Sequence, residues 1–257
     1  MSAPLTVVIP AYCEAGRIGA TLEALVEAID GWGAEIIVVD DGSDDDTLGT
    51  AEKVLSRVER SRVLRFEHNR GKGAAVRAGA LAATGDVIVF MDADLATDLE
   101  ALGPIVRALD SADVAIGSRT TPGSAAARGM RRRSVMARCF NVMVRRVTDI
   151  PYLDTQCGFK AFRRDAARRI FSSARSDRFA FDVEILAIAR ALDMTVVEVP
   201  VRWTAIEDTR VRWLDPPQMA LDLCRIAIRW HPRVRRRLRA EGDGDAPTGG
   251  APAGSVQ

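Results

Sequence analysis

The sequence predicts an α/β protein with a mostly parallel central sheet flanked by helices. Short apolar, β-branched runs alternate with helical patterns along the first half, and acidic clusters stand where those runs end. Hydrophobic residues make up 47% of the 257-residue chain and charged residues 28%, enough for one sizeable core and too apolar for wholesale disorder. One domain over residues 1–240, followed by a tail, is the simpler division.

LTVVI (Leu5 to Ile9) and EIIVVD (Glu35 to Asp40) read as strands buried on both faces. RVLRF (Arg62 to Phe66), DVIVFMD (Asp86 to Asp92) and DVAIGSR (Asp113 to Arg119) follow. Helical patterns lie between them at residues 18–29, 45–58, 72–83 and 99–109. This alternation gives βαβ units with right-handed crossovers, and such sheets bind ligands at the carboxyl ends of their strands. From Pro122 to Arg133 the pattern breaks into a small, then strongly basic, loop that enters a helix over residues 134–147. Further helices are expected at residues 165–171 and 181–192, then a strand TVVEVPVRW (Thr195 to Trp203). A helix opening at Pro216, a favourable place for proline, runs to Trp230. The Gly/Pro/Ala-rich tail, residues 241–257, is expected to be disordered, and there are no internal repeats.

Composition excludes several classes. The net charge is +1, from 36 basic and 35 acidic side chains, which argues against a nucleic-acid binder. The chain has three lysines, Lys53, Lys72 and Lys160, a bias consistent with genome composition. The cysteines Cys13, Cys139, Cys157 and Cys224 form no CxxC pair, and His68 and His231 are the only histidines. Zinc-ribbon, thioredoxin-like and histidine-rich metal sites are thereby excluded, and a reduced, cytosolic chain is expected. No basic-then-apolar leader opens the sequence, and no apolar run reaches the roughly 18 residues a membrane span needs. The expectation is a soluble or peripheral protein.

Three motifs carry chemistry. MDAD (Met91 to Asp94) leaves an apolar strand with Asp92 and Asp94 two apart. Such a pair can converge on one hard cation, since Mg²⁺ or Mn²⁺ takes one or two carboxylates plus substrate phosphate oxygens. A solvated acidic loop is the other reading of that pair alone. VVDDGSDDDT (Val38 to Thr47) follows a second strand. Asp40 and Asp41 stand where a base or ribose could donate to a carboxylate, while Ser43 to Asp46 read as caps of the next helix. HNRGKGAAVRAG (His68 to Gly79) sets glycines around Lys72 at a helix start, which favours anions. It lacks the P-loop spacing, and for Gly71 and Gly73 close packing of the helix start is an equal reading.

VVIPAYCEAGRI, VVDDGSDDDT, NRGKGAAVRAG, MDADLATD and the GSR at Gly117 to Arg119 occur in an order and spacing that resemble the inverting family-2 glycosyltransferases, across Leu5 to Phe162. DTQCGFKAF (Asp154 to Phe162), FAFDVEIL and VEVPVRW are similar to the dolichyl- or polyprenyl-phosphate β-glucosyltransferases and their mannosyl relatives. The resemblance implies a GT-A nucleotide-sugar (Rossmann-like) fold. It implies Mg²⁺ or Mn²⁺ and the donor diphosphate on Asp92 and Asp94, and a nucleotide-sugar pocket shaped by Pro10, Ala11, Tyr12 and Glu14 with Asp40 on the base; Lys72, read above as an anion contact, is counted with that pocket. UDP-glucose is the favoured donor and GDP-mannose the next, with Arg119 near a lipid-phosphate acceptor. The expected location is the cytoplasm, peripheral on the inner face of the membrane. Cys13 departs from the family's usual asparagine, and TAIEDTR follows Trp203 where a Gly-Ser-Lys/Arg ending is usual, with Arg210 as the basic residue.

The acceptor decides what else the site needs. A hydroxyl acceptor requires a general base, for which Asp154 and Asp182 are candidates. A phosphate monoester, with a second pKa of about 6, is already largely ionised and needs cations instead. Arg119, Arg131, Arg132, Arg133, Arg202 and Arg210 form that pool, with Arg119 and one of residues 131–133 preferred. Segments Arg131 to Val147 and Leu221 to Arg239 mix arginine with apolar residues, as an interfacial helix or an ordinary amphipathic one does. Cys157 has no base near it in sequence and reads as structural. A soluble hydroxyl acceptor, a nucleotide-sugar pyrophosphorylase and a non-catalytic membrane- or nucleic-acid-binding protein are the alternatives. The pyrophosphorylase lacks its glycine-rich N-terminal loop, and Asp40, Asp92 and Asp94 would repel nucleic acid. Oligomeric state is not legible.

Overall fold

The computed structural model describes residues 4–126, 150–178, 180–204 and 216–230. Strands β1 (Leu5–Ala11), β2 (Glu35–Asp40), β3 (Ser61–Arg65), β4 (Val87–Met91), β5 (Val114–Ser118), β7 (Phe159–Arg163) and β8 (Val196–Pro200) form one sheet in the order β3-β2-β1-β4-β7-β5-β8. Short β6 (Ala125–Ala126) pairs with β9 (Arg202–Trp203) apart from it. β7 runs antiparallel to both its neighbours, and every other pairing in the large sheet is parallel. The helices are α1 (Ile18–Ala28), α2 (Thr47–Leu55), α3 (Lys72–Ala82), α4 (Leu102–Ala108), α5 (Arg164–Ser173), α6 (Phe181–Ala191) and α7 (Pro216–Trp230).

The two-residue period of the strands sorts their side chains into two cores. Val8, Ile37 and Val39 join α3, α5, α6 and α7 on one face. Val7, Ile9, Ile36 and Val38 join α1, α2 and α4 on the other. Burial on both faces is why β1 and β2 read as unbroken apolar runs.

The expected α/β architecture is present, with one strand that sequence patterning had not supplied. β7 lies mid-sheet although it carries Lys160 and Arg163. Phe159 and Ala161 face the α1 side, Phe162 and Lys160 the other. Lys160 is fully buried, and its ammonium meets Asp182 of α6. The run expected over residues 195–203 is divided at Pro200, which has no N–H to continue a ladder. The helix expected over residues 45–58 starts at Thr47, because Asp45 accepts from the Thr47 N–H at 3.1 Å. The expected helix at residues 134–147 and the tail lie outside the described residues.

Candidate active site

The carboxyl ends of β1, β2 and β4 meet at one edge of the sheet. Asp40 closes β2 and is fully buried. Its Oδ1 accepts from the Ser43 N–H at 3.0 Å. Its Oδ2 stands 3.4 Å from Arg65 Nε without a hydrogen bond among the described residues. Asp41 turns the other way. Its two oxygens accept from the Arg70 N–H (2.7 Å) and the Gly71 N–H (2.8 Å), tying the Lys72 loop to β2. Burial pushes the Asp41 carboxyl up despite those donors. Gly42, at φ 72°, lets that loop approach, since a Cβ there would lie 2.6 Å from the His68 carbonyl carbon. Of the acids that follow, Asp45 accepts from the Thr47 N–H at the start of α2 and from the Ala15 N–H, and Asp44 accepts from the Cys13 thiol.

Pro10 and Ala11 end β1, and the Ala11 carbonyl accepts from the Asp41 N–H at 2.8 Å. Tyr12 is exposed beside them. The Glu14 N–H donates to Thr47 Oγ1 at 2.7 Å, and its carboxylate pairs with Arg17. The PAYCE segment thus lies against the Asp40 turn.

Asp92 and Asp94 follow β4. The Asp92 N–H donates to the Gly158 carbonyl at 3.1 Å, and Asp92 Oδ1 lies 2.5 Å from Lys72 Nζ. Asp94 Oδ1 accepts from the Ala96 N–H at 3.0 Å, and Thr21 of α1 donates to the Ala93 carbonyl between the two acids. Burial lifts the Asp94 carboxyl above the usual range, and the neighbouring Asp92 charge adds to that. Burial alone would lower the Lys72 ammonium, but Asp92 and Asp182 outweigh it and raise it. Asp182 is itself buried and paired to Lys160, whose Nζ also donates to the Cys157 carbonyl at 2.6 Å. Charges therefore alternate inward through Asp92, Lys72, Asp182 and Lys160.

Arg119 and Asp154 form the third part. Arg119 Nε donates to Asp154 Oδ2 at 2.7 Å and an η-nitrogen to Oδ1 at 2.8 Å, and the Arg119 backbone N–H adds a bond to Oδ2 at 3.0 Å. Glu198 accepts from the Leu153 and Asp154 N–H groups, fixing the turn. Burial would raise the Asp154 carboxyl, but Arg119 overrides it and holds it below the ordinary carboxylate range. The guanidinium is partly buried, that contact holds it charged, and it sits 5.5 Å from the Trp203 ring.

Arg202 points elsewhere: it is exposed and pairs with Glu100 at 3.3 Å. Arg131, Arg132, Arg133 and Arg210 lie outside the described residues. Burial pushes the Cys157 thiol up to about 11, so it is no nucleophile. Sequence reasoning missed Gly158 and Lys160. The available signal for Lys160 was a lysine in a chain that otherwise uses arginine.

Among the described residues no group of three metal-ligating side chains occurs. Asp92 and Asp94 nevertheless fit Mg²⁺ or Mn²⁺: two hard oxygen donors at a strand end, one raised by the other's charge, suit an ion that takes its remaining ligands from phosphate and water. No helix among the described residues is long and apolar enough to cross a membrane.

The family model "Glycosyl transferase family 2" matches residues 6–171. The chain is 36% identical over 249 residues to the dolichyl-phosphate beta-glucosyltransferase of Dictyostelium discoideum, covering 88% of this chain and 74% of that one. It is 37% identical over 250 residues to the enzyme of the same name from Drosophila melanogaster, covering 89% and 76%. In structure it is similar to glucosyl-3-phosphoglycerate synthase from Mycobacterium tuberculosis crystallised with Mg²⁺ and UDP, with a TM-score of 0.68 at 21% identity over 88% of this chain and 79% of that one. That likeness shows the GT-A fold. Taken with the sequence matches, it leaves no other assignment: the chain belongs to glycosyl transferase family 2.

Proposed function

We propose that this glycosyltransferase moves glucose from UDP-glucose to a dolichyl or polyprenyl phosphate, with inversion at the anomeric carbon. The observation that carries the reading is the Asp92–Asp94 pair, backed by Lys72 and set on the same sheet edge as Asp40. The names of the relatives support the sugar and the lipid acceptor. GDP-mannose is the second donor to test.

Asp40 offers its unbonded Oδ2 to a donor N–H of the base, and the PAYCE segment walls the same pocket. Asp92 and Asp94 would hold Mg²⁺ or Mn²⁺, which supplies charge neutralisation for the departing diphosphate. Lys72 stands ready to share that load.

The acceptor side favours a phosphate over a hydroxyl. Asp154 is held below the ordinary carboxylate range by Arg119 and is a poor base. Asp182 is buried against Lys160. An acceptor already ionised needs neither. Asp154 instead fixes Arg119, whose charge faces the incoming dianion. The protein works as a peripheral protein on the cytoplasmic face of the membrane, where the lipid phosphate is presented.

The test offers UDP-glucose and GDP-mannose with polyprenyl phosphate in neutral detergent, with and without Mg²⁺ or Mn²⁺, alongside Asp94→Ala. Metal-dependent formation of glucosyl lipid, lost in the variant, is expected. Glucose transfer to a soluble hydroxyl compound alone would overturn the lipid acceptor.

A further inference from the structure

Residues Arg175 to Arg178 and Ala180, the start of α6 and the outer half of α7 line an open surface cavity of about 340 Å³ that shares no lining residue with the Asp92 site. Four arginines line it: Arg175 and Arg178 from the loop, Arg225 and Arg229 from α7. Three carboxylates stand nearby, and all are engaged. Glu184 Oε2 accepts from the Arg175 and Ser176 N–H groups at 2.8 and 2.6 Å, and Oε1 from the Trp230 indole at 3.2 Å. Asp177 pairs with Arg77, and Asp222 with Arg225. Among the described residues this leaves Arg175, Arg178 and Arg229 without a carboxylate partner.

Cations gathered round a cavity of this size, with their local counter-charges already committed, ask for an anion. The surroundings say which kind. Leu221 is 53% exposed and Ile228 is 70% exposed. At roughly 100° per residue they share one stripe of α7, beside the arc that carries Arg225 and Arg229. The sequence continues from Trp230 with arginines at 233, 235, 236, 237 and 239. Unpaired arginines, exposed aliphatics and a basic continuation suit the surface of an anionic bilayer. The cavity's mostly charged lining suits a headgroup and not a lipid tail.

We infer that this arginine-lined cavity binds the phosphodiester headgroup of an anionic phospholipid, with Leu221 and Ile228 resting in the interface beside it. It is separate from the acceptor site at Arg119 and Asp154, and it rests on the membrane-lipid reading above. Its wall also bears on the donor site. A Cβ on Gly71 would lie 2.5 Å from the Asp177 carbonyl oxygen and one on Gly73 2.5 Å from that of Ser176, so the loop packs directly against the helix start that presents Lys72.

The experiment is co-sedimentation of the full chain with phosphatidylcholine vesicles, with and without phosphatidylglycerol. The wild type is expected to prefer the anionic vesicles, and Arg175→Gln/Arg229→Gln to lose about twenty-fivefold of that preference, roughly fivefold for each near-surface charge. Arg178→Gln alone should lose about fivefold, which keeps the test valid if the double variant unfolds. An unchanged preference in these variants, with the arginine run at residues 233–239 intact, would overturn the site. So would displacement from vesicles by an equal concentration of soluble glycerol phosphate, since the occupant would then be a free anion. Glycosyl transfer in neutral detergent reads the proposed reaction without the headgroup, so failure of either idea is seen separately.

Discussion

A Cβ on Gly158 would lie 1.9 Å from Oδ2 of Asp92. The carboxylate that faces Lys72 thus occupies the space of a missing side chain, just before β7 begins. Gly158→Ala should drive Asp92 out of that place while sparing the fold, because Asp92 is partly exposed and can rotate away. Activity is expected to fall by about two to three orders of magnitude, the scale seen when one transition-state electrostatic group is lost. A Mn²⁺ titration in the presence of UDP should show weakened binding, with the melting temperature nearly unchanged. Wild-type Mn²⁺ affinity in Gly158→Ala would refute the role given to this glycine.

Lys160 and Asp182 form an ion pair sealed between β7 and α6. Lys160→Met leaves Asp182 buried without its counter-charge and should cost about 3–5 kcal/mol in urea unfolding. Lys160→Met/Asp182→Leu should recover most of that loss, because an apolar pair suits the surrounding Phe90 and Phe162. A double variant as unstable as the single one would show that the pair does more than satisfy itself.

Cys13 has φ 53°, a left-handed conformation that asparagine tolerates better than cysteine. Its N–H donates to Ser43 Oγ at 2.8 Å, so the turn is held by the backbone and not by the thiol alone. Cys13→Asn is expected to stabilise the protein by about 1 kcal/mol, or roughly 2–4 °C in melting temperature. A lowered melting temperature would mean that the Cys13–Asp44 contact outweighs the backbone preference.

Glu35 supplies a pH dependence outside the site. Burial would raise its carboxyl, but Thr6, Thr84 and Arg62 together hold it below its ordinary value of 4.5. A depressed carboxyl contributes stability above its unfolded value and loses it as pH falls through the folded one. The stability gap between wild type and Glu35→Gln should be full at neutral pH and close progressively below about pH 4.5. A gap constant down to about pH 2 would contradict the assignment.

The legible parts of the molecule are those set by neighbours in sequence. Val7 to Ile9 and Ile36 to Val39 declared buried strands because both faces of each are covered. Asp92 and Asp94 were visible because they end such a strand. β7 was hidden because the charge that makes Lys160 look exposed is cancelled by a residue 22 positions away. Asp40 stood out as the residue at the carboxyl edge of its strand, whereas the task of Asp41 was hidden, because its partners are the distant Arg70 and Gly71 N–H groups. Arg119 and Asp154, 35 residues apart, read as separate candidates for acceptor and base, yet form one bidentate unit. The scarcity of lysine was a usable signal: two of three lysines stand in the charge sequence behind Asp92, where a compact ammonium replaces the chain's usual guanidinium.

The reversed direction of β7 has a topological consequence. Because this strand starts where β4 ends, the residues just before it arrive beside Asp92. Arg119 follows β5 and Asp154 precedes β7, so their mutual contact pins the two ends of the intervening segment together. One bidentate pair thus ties the exit of β5 to the approach of β7, so loosening Arg119 would release both strand ends together.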